Sequence, residues 1–145
     1  MSTRRWLDTV LRARQAQEDV AAQTLAAAHR DAREAIEWHE AETERVESMT
    51  APDHSTRQAF QAAAAARHAA AATLAAAAHR VEFAETRVAA DAHELAEAAR
   101  ARRTVEKLDE RETAARNSAL GQAAQRDLDE IATTRHAAAK KAASS

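Results

Sequence analysis

Between Phe60 and Arg102 an apolar residue returns at almost every seventh position. Phe60, Leu74, Val81, Val88 and Leu95 lie on one lattice, with Arg67 and Arg102 as its polar members. Ala63, Ala70, Ala77, Ala84 and Ala98 sit three residues behind, which completes a heptad seam on a single long helix. Upstream, Leu7, Leu11, Ala21, Leu25, Ala28, Ala32, Ala35, Val46 and Met49 repeat the same alternation of fours and threes. One break separates the two runs. Pro52 cannot continue a helix, Ala51 before it is pushed towards extended geometry, and Ser55 with Gln58 three residues on makes a capping-box start for the second helix.

The pattern therefore predicts an all-α fold, a long antiparallel two-helix coiled-coil hairpin whose second helix is the longer. Helix 1 runs over residues 3–49, a turn over 50–57, and helix 2 over 58–143. Folding back at Pro52 with both helices starting level would place residue i near residue 104 minus i. The alanine-rich stretch Ala59–Ala78, with 14 alanines in 20 residues, would then lie against Ala26–Ala35, and helix 2 would have no partner from about residue 101 onward. The seam changes phase between Val105, Leu108 and Leu120, near Asn117 and Gly121, before Leu128 and Ile131 resume an apolar stripe. Such a change suits a helix that leaves one partner to meet another.

Composition turns a helical pattern into a rod rather than a globule. Of 145 residues 44 are alanine, while Val, Leu, Ile, Met, Phe and Trp together supply 22. Helix forms readily, because alanine has no rotamers to lose, yet each buried methyl adds only about 0.8 kcal/mol. With 21 Lys plus Arg against 23 Asp plus Glu, no global field recruits nucleic acid. No run approaches the roughly 20 apolar residues of a membrane span, so no stable membrane insertion is expected. The opening Met-Ser-Thr-Arg-Arg-Trp leads into no apolar stretch that would make a secretory signal, and a cytoplasmic protein is expected.

Candidate chemistry is sparse. Cysteine is absent, a single glycine precludes a phosphate loop, and none of the seven histidines has a glutamate three residues before it. No catalytic residue, cofactor or metal site is therefore assigned. The aromatic residues Trp6, Trp38, Phe60 and Phe83 are few, and tryptophan is enriched at binding hot spots.

Three blocks in order carry a resemblance. The string Arg5–Glu18, with Trp6, Leu7, Val10, Leu11 and Arg14, resembles the opening of the FliJ proteins of bacterial flagellar export. Val105–Glu112 and Gln125–Ala132 are similar to that family's Glu-Lys-Leu and Leu-Asp-Glu blocks. The resemblance implies a stalk-like coiled-coil component of the flagellar type III export apparatus, cytoplasmic and peripheral to the membrane-embedded parts. Its implied partners are the hexameric export ATPase, the export gate and export chaperones. Carried over residue by residue, Trp6, Val10, Leu11 and Arg14 with Leu108, Arg111, Leu128, Asp129, Glu130 and Ile131 would form the ATPase-facing end, and Trp38 and Phe60 are candidates at the turn end. The alanine tract is richer than the family usually shows. An injectisome stalk protein, or a structural alanine-rich coiled coil of the stress-related or granule-coating kind, would present the same heptads. A lipid-surface helix fits less well, since the apolar face is mostly alanine and the chain has only three lysines.

Overall fold

A computed structural model describes residues 3–50 and 56–144. It contains two helices, α1 (Thr3–Glu47) and α2 (Arg57–Ala143), joined as an antiparallel hairpin with the second helix much the longer. Pro52 and the Ser55 cap lie outside the described residues. Within them Thr56 caps α2: its Oγ1 accepts the Ala59 amide at 3.2 Å, and its carbonyl accepts the Phe60 amide at 3.0 Å. α1 closes with the Ser48 hydroxyl donating to the Arg45 carbonyl at 2.8 Å. The Arg45 guanidinium, near the negative end of the helix dipole, also holds Glu42 at 2.6 Å.

The chain divides into two compact units, Ala13–Ala101 and Met1–Arg12 with Arg102–Ser145. In the first, burial tracks the heptad lattice. Ala28, Ala32, Ala35, Ala70, Ala77 and Ala84 are buried, and Ala32, Ala35 and Ala84 form a cluster on which Val81 and Val88 pack. Alanine on one helix meets valine on the other. Seam positions taken by polar groups stay half-buried, among them Glu18, His39 and Asp91. Asp91 is the costliest of these: its Oδ2 has no hydrogen bond, and only the Arg87 Nε at 3.6 Å compensates it.

The pairing differs from the one that a tight turn predicts. With Ala32 and Ala35 packed beside Val81, Ala84 and Val88, the paired numbers add up to about 116 rather than 104. Trp38 beneath Arg80, with ring centroid and guanidinium carbon 5.5 Å apart, agrees. The reason is the lattice itself. The expected pairing sets the seam residue Ala28 against Ala76, which is off the seam of α2, whereas the observed one sets it near Val88, which is on it. Ala26–Ala35 therefore face Val81–Val88 rather than the alanine tract, and residues 57–68 of α2 reach past the level of Glu47 with only Ala63 partly covered. Spin labels at Asp31 and Arg87, which line one cavity, should give a short distance. Labels at Asp31 and Thr73, a pair the tighter turn would bring together, should be separated by about 18 Å along the helix axis at 1.5 Å per residue. Pulsed dipolar spectroscopy of both pairs decides the register.

In the second unit Leu7 and Val105 are buried, and Val10, Leu11, Arg102, Glu106, Asp109 and Glu112 are half-buried. The covered part of α2 thus runs on past residue 101 to Glu112, a dozen residues further than expected. From Thr113 to Ser144 every residue is exposed.

Candidate functional site

The exposed stretch of α2 is built to be helical without support. Alanine supplies much of it, and local side-chain bonds knit the rest: Arg116 to Glu112 at 2.9 Å, and Gln125 Nε2 to Asp129 Oδ1 at 2.8 Å. The Thr133 and Thr134 hydroxyls donate to the carbonyls of Asp129 and Glu130, four residues back. Gly121 is the weak point. A Cβ built there meets nothing within 4 Å, and its φ is not positive, so the glycine answers no steric demand. Gly121→Ala should stabilise this segment by about 0.8–1.0 kcal/mol, the propensity difference in an exposed helix interior. Slower amide exchange over residues 115–127 is the expected reading.

On this segment Leu128 is 61% and Ile131 50% exposed, with Asp129 and Glu130 beside them. Leu120, 63% exposed, lies eight residues before Leu128 and hence close to the same face, with Ala124 between them. The sequence pattern marked Leu120 only as a point where the seam changes phase and not as part of this stripe, although its spacing to Leu128 could have placed it on this face. The other candidates of this unit lie in its covered part. Trp6 and Leu108 are exposed, Val10 and Leu11 half-buried, and Arg111 exposed. Arg111 and Leu128 are 17 residues apart on one helix, about 26 Å at 1.5 Å per residue. The residues expected to face the ATPase thus make two patches rather than one. Arg14 belongs to the other unit, where its guanidinium donates to Gln17 Oε1 at 3.1 Å.

At the turn end the two aromatic candidates have different settings. Phe60 is exposed on the part of α2 that reaches past Glu47, whereas Trp38 is half-buried with the Arg80 guanidinium over its ring. Among the described residues no group of three His, Asp or Glu side chains could hold a metal ion, and no helix is long and apolar enough to cross a membrane.

Fold and surface together define a coiled-coil hairpin whose longer helix carries an uncovered apolar stripe. Over residues 3–141 the chain matches the family described as flagellar FliJ protein, and with nearly its whole length matched it belongs to that family. It is thereby a protein of flagellum biogenesis and flagellar protein export. Comparison with curated proteins and with solved structures finds no significant match to either.

Proposed function

We propose that the chain is a stalk-like component of the flagellar export apparatus that binds the export ATPase ring through the exposed end of α2. The observation that carries this reading is the stretch Thr113–Ser144, continuously helical to Ala143 and exposed at every position, with Leu120, Leu128 and Ile131 along one side. A helix that leaves three large apolar side chains in water gains by inserting them into a partner, at roughly 25 cal/mol per Å² of apolar surface covered. Asp129 and Glu130 add charge recognition beside the stripe. Trp6, Val10, Leu11, Leu108 and Arg111 form a second contact nearer the covered part, and Arg14 a minor one. The export gate and export chaperones are further partners in this reading, the gate through Trp38 and Phe60. The protein works by binding, in the cytoplasm at the base of the apparatus, without cofactor or catalytic residue.

The test is co-purification of the tagged full chain with the hexameric flagellar export ATPase. Retention of the ATPase by the chain, and its loss when residues 113–145 are deleted, are expected. Equal retention by the truncated chain would refute this assignment of the contact.

A further inference from the structure

Gly121 is the single glycine of a chain that carries 44 alanines. It stands inside α2, where glycine is a poorer helix former than alanine. Nothing within the hairpin asks for it, since a Cβ built there meets nothing within 4 Å and its φ is not positive. What glycine does at this position is take a Cβ away from a surface. The helix repeat decides which surface that is.

With about 100° of rotation per residue, Ala124 marks the centre of the exposed apolar stripe. Leu120 and Ile131 lie to one side of it, and Leu128 and Gly121, seven residues apart, to the other. Gly121 is therefore part of the stripe. Residues i, i+3, i+4 and i+7 of a helix ring a hole that takes a side chain from a packed partner helix. Two successive holes share Gly121: one ringed by Asn117, Leu120, Gly121 and Ala124, the next by Gly121, Ala124, Gln125 and Leu128. Every one of these residues is exposed. Each hole is floored by glycine and alanine and walled by a leucine. Gln125 does not fill the second, because its amide donates to Asp129 Oδ1 at 2.8 Å, on the side away from the stripe.

We infer that Gly121 and Ala124 form a notch that receives a bulky apolar side chain from a helix of the export ATPase, with Leu120 and Leu128 packing on either side of it. This rests on the reading of residues 113–144 as the ATPase contact, and it adds the form of the partner: a helix carrying a side chain of leucine size or larger. The separation of packed helices is set by the side chains at the contact, and a missing Cβ brings the axes towards the short end of that range. Glycine weakens the free helix here and deepens the surface that the partner meets. Leu120, Leu128 and Ile131 supply the large groups, and Gly121 supplies the space between them.

Titration calorimetry of the full chain with the purified export ATPase tests this. Gly121→Ala, although it strengthens the free helix, should raise the dissociation constant about tenfold, and Gly121→Leu, which fills both holes, by about a hundredfold, as overpacking a fitted contact does. Ala119→Leu, on the far side of the same turn, should change the affinity by no more than about twofold. Gly121→Ala combined with Ala119→Gly returns a glycine to the turn, but off the stripe, so the helix is weak again without the notch. Its affinity should stay at the level of Gly121→Ala. Recovery of parent affinity in that double variant would make Gly121 a flexible joint and overturn the notch. Parent-like binding by Gly121→Ala and Gly121→Leu, with Leu128→Ser/Ile131→Ser still weakened, would overturn the notch and leave the ATPase contact standing. A parent chain that binds no ATPase would overturn both.

Discussion

Replacing Leu128 and Ile131 together with serine should weaken binding to the export ATPase by about 2–4 kcal/mol, the range of interface hot spots. The two side chains are three apart and share one face of α2. They are exposed in the free chain, so nothing in the hairpin depends on them. Helical signal should therefore fall only slightly, by the lower helix propensity of serine at two exposed positions. Leu120→Ser, on the same stripe, should add to the loss, whereas Phe83→Ser, in the other unit, should leave ATPase binding as it is. Titration calorimetry with the purified ATPase measures all three. An unchanged affinity for the double variant would remove this stripe as the contact, and a loss of the hairpin's melting transition would make the two residues structural instead.

The second large effect concerns the hairpin itself. Ala35→Glu should abolish the packing of α1 on α2 within residues 13–101. Ala35 is fully buried in the cluster with Ala32 and Ala84, under Val81 and Val88. A glutamate there needs volume that the close approach does not leave, which costs about 1–3 kcal/mol. It also places an unpaired carboxylate among methyl groups, a further penalty of several kcal/mol. The core consists of alanine and valine, and its total stabilisation is small enough that such a sum exceeds it. Ala64→Glu, equally a charge in an alanine run but exposed on the part of α2 beyond Glu47, should be near neutral. Hydrogen exchange separates the two variants: fast exchange across residues 28–42 and 77–91 is expected for Ala35→Glu alone. Parent-like protection in that variant would mean that the cluster does not hold the helices together.

Both experiments take their controls from the tertiary structure. The candidate residues Leu128 and Ile131 were legible as an apolar pair in a polar helix, and the family blocks around them were legible as strings. That Leu120 shares their face became evident once residues 113–144 proved to be one uninterrupted, uncovered helix. Phe83 and Val20 carried no message as isolated apolar residues off the seam; only the neighbouring helix shows that Phe83 lines a cavity with Ala28 and Asp31, and Val20 one with Asp91 and Glu94.

The helices, the break between them and the heptad seam are matters of local spacing. Residues three and four apart share a face whatever the rest of the chain does, proline stops a helix wherever it stands, and alanine favours helix in any context. For this protein those facts determine two helices, their approximate ends and which side of each is buried. The pairing of one helix with the other is a different quantity, a sum over many weak methyl contacts. Alanine meets alanine acceptably in several alignments. A shift of one heptad towards the tighter turn would still put seam on seam, but it would set Glu18 opposite Asp91, two carboxylates in a half-buried position. The observed alignment separates them and lets Ala28, Ala32 and Ala35 lie against Val81, Ala84 and Val88. Only that tertiary alignment decided that residues 57–68 reach past Glu47 and that Trp38 lies under Arg80. Long-range packing chose among alignments that the local pattern left nearly equal in energy.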